Sequence, residues 1–446
     1  MKTNRRTFVK NTSLTAAGVG LSLVVPHKII AKIVQDAPSD RLNLGVIGLG
    51  MGCRDLQGAL SNSWVNCVAM CDVNKERLNE QVANFKKQFP NQTSSIKLYT
   101  DFRELLGNKD IDGVIIATPD HWHPYIFAEA LKAGKAVYIE KPVANSIEEV
   151  NLMVDLQKKH QRIVTTGLWQ TSQKYFIGAN EILKSDVLGD VYKVQIWLCS
   201  STNPRAGTKD TSAPSTLDWD MWLGPAPKRA FNQSVFRGWR GFWDYGGGQQ
   251  TDWGVHWIDS AFDGLKILGL SNRDEFPKAV FSTAFKHPET FNETPSCQTT
   301  VFQFENFHME WTQQEAYLYN RNQGVAWIGS KATLVCNREG YELIPNKNRD
   351  GSTTVDPIRF DGSFEEGGVD AHATNWCNCI RENSMNTNSP IEKGAFATIL
   401  AHMGNISYRT GTKVIYDSDN RKFVDNPGAD LYFGRKYRTP WELPRV

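Results

Sequence analysis

An excess of charge of either sign is missing from this 446-residue chain: 50 Lys and Arg stand against 48 Asp and Glu, for a net charge of +2. Without a global field of one sign, neither nucleic acid nor an anionic membrane surface is an expected partner. Beyond the first 25 residues no long apolar run occurs, so stable membrane insertion is not expected either. Cysteine is sparse and unpatterned. The eight cysteines, at 53, 67, 71, 199, 297, 336, 377 and 379, lack the spacing of a disulfide lattice, and the Cys377-x-Cys379 pair lacks the second pair of a zinc ribbon. They read as free thiols, and no metal site is expected. What is abundant is apolar and aromatic material: 40% hydrophobic residues against 22% charged, with 14 Trp and 13 Tyr. That suffices for a packed core and makes two domains the expectation. The aromatic faces suit a sugar ring, a core or a subunit interface equally well.

The amino terminus, NRRTFVKNTSLTAAGVGLSLVV, sets Arg5 and Arg6 before Phe8 and Lys10, followed by a weakly apolar stretch ending near Val25. This order resembles a twin-arginine export signal. Residues 1 to 35 are therefore read as a leader outside the fold, and the expected location is the periplasm or another exported compartment. Free thiols are compatible with export of an already folded chain.

From residue 42 to 165, apolar strand-like runs (RLNLGVIGLG, WVNCVAMCDV, IDGVIIATP, AVYIEKPV) alternate with helical stretches. Such alternation predicts a doubly wound parallel sheet, a Rossmann-type domain with its ligand crevice beyond the carboxyl ends of the strands. After QRIVTTGLWQ the texture changes. DVYKVQIWLCS, CQTTVFQFENFHMEWTQQ and VAWIGSKATLVC alternate apolar and polar residues over long stretches. That pattern predicts a second, α+β domain over 166 to 420 with a large, predominantly antiparallel sheet. Residues 421 to 446 form an aromatic and basic tail, which either wraps over the body or joins an oligomer interface.

In GVIGLGMGCR, Gly48 and Gly50 occupy the positions where a chain turns sharply and approaches a pyrophosphate, and the helix that follows offers free N–H groups. Met51, Gly52 and Cys53 complete the turn. With Cys at 53, where the fingerprint has Gly or Ala, the helix is expected to stand slightly away from the sheet. Asp72 closes the second strand, 24 residues after Gly48, where a carboxylate accepts hydrogen bonds from an adenosine ribose and repels a 2′-phosphate. The expected cofactor is NAD(H).

The segments ATPDHWHP, AGKAVYIEKPVANSIEEV, TTGLWQTSQKYFIGANEILKSDVLGDV, GGGQQTDWGVHWID and NISYRTG resemble the Gfo/Idh/MocA oxidoreductases, over essentially the whole chain after the leader. The resemblance implies a Rossmann domain joined to a C-terminal α/β domain and action on sugars, polyols or their derivatives. It sets Lys141, Asp252 and His256 beside substrate and nicotinamide, and Thr118, Pro119, His121, His123, Glu140 and Lys141 along the cofactor. The chemistry of the side chains agrees with it. Oxidising a secondary alcohol needs a base for the hydroxyl proton, for which His256 is the candidate. Asp252, one helical turn earlier, orients the imidazole or binds a sugar hydroxyl, and Lys141 stabilises oxyanion charge. The His121-x-His123 pair has no carboxylate or thiol cluster to complete a metal site, and Asp120 reads as a turn residue.

Tyr175, Arg205, Trp222, Arg237, Trp239 and Trp243 are further substrate-side candidates, each equally at home in a core or interface. Three functions stay open. One is NAD-dependent oxidation of a secondary hydroxyl, with C3 favoured, of a sugar or glycoside. A second is redox-assisted glycoside cleavage, as in the NAD-dependent α-N-acetylgalactosaminidases that the chain resembles in leader and length, although it lacks their YPTHG-type segment. The third is noncatalytic sugar binding. Export argues for a tightly retained cofactor that is reoxidised by a second substrate or an electron acceptor. A homo-oligomer, dimer or tetramer, is expected through the C-terminal sheet.

Overall fold

A computed structural model describes residues 41–362 and 367–446. The proposed leader lies outside the described residues. The first sheet has six parallel strands: β1 (Leu42–Ile47), β2 (Val65–Cys71), β3 (Lys97–Tyr99), β4 (Gly113–Ile116), β5 (Ala136–Ile139) and β6 (Val164–Thr166). Their order is β3-β2-β1-β4-β5-β6. The order reverses between β1 and β4, which opens the crevice at their carboxyl ends. Residues such as Leu44, Val46, Val114 and Ile115 are fully buried because helices cover both faces, as a parallel sheet requires.

The second sheet has eight strands: β7 (Val191–Cys199), β8 (Ala279–Phe285), β9 (Cys297–Gln303), β10 (His308–Gln314), β11 (Gln323–Gly329), β12 (Ala332–Asn337), β13 (Gly340–Pro345) and β14 (Ile358–Asp361). Its order is β14-β13-β12-β11-β7-β10-β9-β8, antiparallel at every pairing except β7 with β10. The stretches CQTTVFQFENFHMEWTQQ and VAWIGSKATLVC, read as single long strands, are hairpins. The second turns on only Ser330 and Lys331, a break short enough to be lost between two apolar runs.

Helices Gly254–Ile267 and Ile391–Thr410 cover the inner face of this sheet. Its other face carries exposed Phe281 and Phe285 with half-exposed Val301. The two sheets are closely joined, and Leu42–Val446 forms one unit. Helix Gly368–Glu382, late in the sequence, returns to pack on helix Gly52–Leu60 of the first sheet. A Cβ at Gly58 would stand 3.1 Å from Val369 O and 3.3 Å from Ala373 Cβ. Trp376 of the same helix is buried against Tyr138 of β5. Among the described residues no helix is long and apolar enough to cross a membrane, and all eight cysteines are free.

Candidate active site

The crevice is a cavity of about 730 Å³. At its floor, Gly48 has φ +90, and a Cβ there would lie 2.6 Å from Ala117 O, so only glycine lets the turn pass over β4. Gly50 meets nothing within 4 Å; its backbone is open to the cavity. Among the described residues the amides of Gly50 and Met51 donate to no backbone carbonyl. They are the free donors that a pyrophosphate needs at a helix start. Gly52 supplies the close packing: a Cβ would stand 3.0 Å from Val46 Cγ1 and 3.2 Å from Ala117 Cβ. The helix therefore sits against the sheet, not away from it as Cys53 suggested. Cys53 points elsewhere, its Sγ 3.4 Å from Leu49 O and 3.5 Å from Gln81 Oε1. Burial, with Asp72 nearby, pushes its thiol up to about 12, which makes it inert.

Asp72 closes β2 at the cavity wall. Its Oδ2 accepts from Leu49 N–H at 2.9 Å and its Oδ1 from Asn74 N–H at 2.8 Å. These two bonds aim the carboxylate and leave one lone pair on each oxygen for ribose hydroxyls. Burial raises its pKa above the ordinary range, against the pull of those amides. On the opposite side Thr118 Oγ1 is buried with no partner. A free amide pair, an aimed carboxylate and an orphan hydroxyl along one cavity fit a dinucleotide.

The cover comes from the segment between β7 and helix Gly248–Asp252. Lys75 N–H donates to Thr216 O at 2.9 Å and Asp218 N–H to Val73 O at 3.0 Å, which ties this segment to the loop after Asp72. Its aromatic residues make a small core of their own around Trp222, Val235, Phe242 and Tyr245. The tail then straps the cover down. Arg438 donates to Gly224 O and Ala226 O, and Trp441 packs edge-on against Trp122 at 4.8 Å. Arg435 and Tyr437 bond Glu149 at 2.7 and 2.6 Å.

At the other end Lys141 follows β5. Its Nζ donates to Asp252 Oδ1 at 2.6 Å and to Asp252 O at 2.8 Å. Arg240 Nε stands 3.0 Å from the same Oδ1. Burial works to raise the Asp252 pKa, but the Lys141 ammonium and the Arg240 guanidinium outweigh it and hold the carboxyl at about 2. The Asp252–His256 pairing expected from their spacing is not formed. Helix Gly248–Asp252 ends at the aspartate and a new helix begins at Gly254, so the two residues do not share one continuous turn. The carboxylate is claimed by Lys141 and Arg240. His256, 5% exposed, lies edge-on to Trp169 and Trp253, and its Nδ1 has no partner among the described residues. Burial, then the cations Lys141, Arg338 and Arg54, hold its pKa well below the usual value. The ring is neutral at physiological pH.

Of the residues picked out in the sequence, Gly48, Gly50, Met51, Asp72, Thr118, Pro119, His123, Glu140, Lys141, Trp222, Arg237 and Trp239 line the cavity. Gly52 and Cys53 lie behind it. His121 turns away to Trp222 O and the Tyr245 ring, so it holds the cover and does not face the cofactor. Tyr175 is fully buried against Phe360, Arg205 is exposed on a loop, and the Trp243 ring lies under Arg409; none of the three lines the cavity, and neither do Asp252 and His256, which lie beyond Lys141. Arg240 was not among the expected residues, and Asp120 was expected only as a turn residue. The only signal was their setting in GWRGFWDYGGG and ATPDHWHP, which carry no periodicity that names a partner.

Two family models match in tandem: the oxidoreductase family NAD-binding Rossmann fold over residues 42–168 and the oxidoreductase family C-terminal alpha/beta domain over 179–280. The chain belongs to the Gfo/Idh/MocA family. Among curated members, a glycosyl hydrolase family 109 protein of Solibacter usitatus is 30% identical over 165 residues, 36% of this chain and 38% of that protein. An inositol 2-dehydrogenase of Salmonella typhimurium is 28% identical over 151 residues, 33% of this chain and 43% of that protein. The match thus spans less than half of either relative. Among solved structures, an aldose-aldose oxidoreductase of Caulobacter crescentus complexed with glycerol superposes with a TM-score of 0.61 at 18% identity, covering 84% of this chain and 99% of that one.

Proposed function

We propose that the protein is an NAD(H)-dependent oxidoreductase that oxidises a secondary hydroxyl, with C3 favoured, of a sugar or glycoside, and that it keeps its cofactor between turnovers. The observation that carries this reading is the Lys141–Asp252–Arg240 chain at the reaction end of a cavity whose other end is shaped for a dinucleotide. Gly50, Met51, Asp72 and Thr118 would hold the cofactor, which when bound supplies the hydride acceptor. Lys141, fixed by Asp252, stands ready to stabilise negative charge on the substrate oxygen. Neutral His256 accepts a hydrogen bond from the hydroxyl and is the first receiver of its proton. Asp252 thereby acts on Lys141, not on the imidazole. The strapped cover over the ribose end supports retention, and retention suits an exported enzyme, which we propose on the Arg5-Arg6 leader.

Similarity to a protein named as a glycosyl hydrolase favours one second reading, redox-assisted glycoside cleavage by transient C3 oxidation. Nucleotide extraction after extensive dialysis tests the cofactor; protein free of nucleotide that reloads readily counts against retention. Glycosides deuterated at C3 then separate the reactions. A released ketosugar supports net oxidation, aglycone release without net cofactor reduction supports cleavage, and no transfer of label to the cofactor rejects both. His256→Ala should slow the reductive half-reaction while leaving bound NAD in place; loss of NAD would assign His256 a structural role.

A further inference from the structure

Asp120 has no part in the scheme above. It opens the single turn Asp120–Trp122 after β4, is 2% exposed, and lines the cavity with Glu140, Lys141 and Arg240. Among the described residues its carboxyl makes no hydrogen bond and no ion pair. A Cβ at Gly246 would stand 3.2 Å from Asp120 Oδ2 and 3.1 Å from Arg240 Cα, so that glycine seats the carboxyl beside the Arg240 turn.

The charges that face Asp120 are Arg240, Asp252, Lys141 and Glu140. Asp252 already takes up both cations, and Glu140 leans on Arg54 at 3.7 Å, an arginine shared with Asp55 at 3.5 Å. His123 adds no charge, because burial holds its pKa at about 4. One carboxyl of the group is therefore left without a counter-ion, in a place where an ionised form is unfavourable. Burial, with Asp252 and Glu140 acting against Arg240 and Lys141, raises the pKa of Asp120 well above the carboxylate range.

We infer that Asp120 is the proton store of the reaction: ionised while a positively charged oxidised nicotinamide ring shares the cavity, and protonated once the hydroxyl of the substrate has been oxidised. The inference rests on the dinucleotide reading. The bonds balance as follows. The substrate C–H bond breaks with its electron pair leaving as hydride to the oxidised nicotinamide, the O–H bond breaks, a carbonyl forms, and the proton comes to rest on Asp120. The net charge of the site is then the same before and after turnover, which a cavity lined by buried groups favours.

Infrared difference spectra of the holoenzyme, reduced chemically with dithionite minus oxidised, test this without turnover. The expected result is a protonated-carboxyl C=O band that appears on reduction, shifts in heavy water and is lost in Asp120→Asn. The second readout is the ratio of reduced to oxidised bound cofactor at fixed external potential. In the window between the two pKa values of Asp120 it should fall roughly a hundredfold per pH unit in the wild type, where two protons accompany two electrons, and roughly tenfold in Asp120→Asn. A tenfold slope in the wild type overturns the inference even if the variant does not fold. A band that survives in Asp120→Asn reassigns the proton to Glu140 or Asp55 and overturns it too. Absence of any reducible nicotinamide refutes the dinucleotide reading instead, and is told apart because neither protein then gives a reduction signal.

Discussion

Glu149→Gln is the substitution that separates a tail that merely packs from one that closes the site. Glu149 is fully buried in the first turn of helix Ile147–His160. It receives Arg435 Nε at 2.7 Å, Tyr437 O–H at 2.6 Å and Ser146 O–H at 3.0 Å. Gln keeps the shape and one acceptor oxygen but leaves the Arg435 guanidinium buried without its counter-charge, a loss of about 3 to 5 kcal/mol, with the lower end apt because one hydrogen bond survives. At about 2.1 cal/mol/K of unfolding entropy per residue over roughly 400 residues, about 3 kcal/mol lowers Tm by about 4 °C in a two-state unfolding. The effect on the cofactor should be larger. If release of the tail gates escape of NAD, about 3 kcal/mol of lost closure raises the open population, and with it the dissociation rate, about a hundredfold. Differential scanning calorimetry, limited proteolysis of residues 435 to 446 and stopped-flow displacement of NAD measure the three consequences. A lowered Tm with an unchanged NAD release rate would refute the gating argument while sparing the ion pair; an unchanged Tm would refute the energetic one.

Asp72→Ala should weaken NAD by about 1.5 to 3 kcal/mol, the worth of charged hydrogen bonds to the ribose, and leave an exposed-loop control unchanged; equal affinities by calorimetric titration would remove the ribose assignment. His372, bonded by Ser172 and Thr166 and held by burial at about 4, stays neutral in the fold. The unfolded chain takes up a proton below about 6.5 while the folded one does not, so the histidine's contribution is complete above pH 6.5 and is lost as pH falls toward 4. The stability advantage of wild type over His372→Gln should therefore shrink by about 3 kcal/mol across that window, and a constant difference in urea titrations would show that the ring titrates normally. Phe281→Asp, on the open face of the eight-stranded sheet beside Val301, should convert a homo-oligomer to monomer in light scattering; a wild-type monomer at micromolar concentration would dispose of the proposed interface.

What the sequence revealed about the site was what lies close together along the chain. Gly48, Gly50 and Asp72 belong to one β-turn-helix-β unit, and their geometry follows from the turn. Lys141 is placed by the strand before it. The relation of Asp252 to His256 was misjudged, because a spacing of four means a shared helical face only if the helix is continuous, and it breaks at Trp253. The ion pair that replaces it joins residues 111 positions apart, and no periodicity encodes such a contact. The hairpins hidden in apparently single strands have a related cause. The two turns take only four and two residues and lie between apolar runs, so composition along the chain does not mark where it reverses.

The cover and the strap were the least legible elements, although they bear most directly on how the cofactor is handled. The cover is held to the loop after Asp72 by backbone bonds to Thr216 O and from Asp218 N–H, which any sequence can make. The strap depends on a buried Glu149 that reads, in the sequence, as one more acidic residue in the first turn of a helix. The cover and the strap lie at the Asp72 end of the cavity, whereas Lys141, held by Asp252, lines it with Arg240. Under the proposed function, such an arrangement would separate cofactor exchange from substrate exchange. Under the proposed retention, electrons taken from one substrate would leave to a second carbonyl compound or another acceptor visiting the same Lys141 end. The proposed proton store at Asp120 suits that traffic, since each half-reaction can then leave the charge of the cavity unchanged.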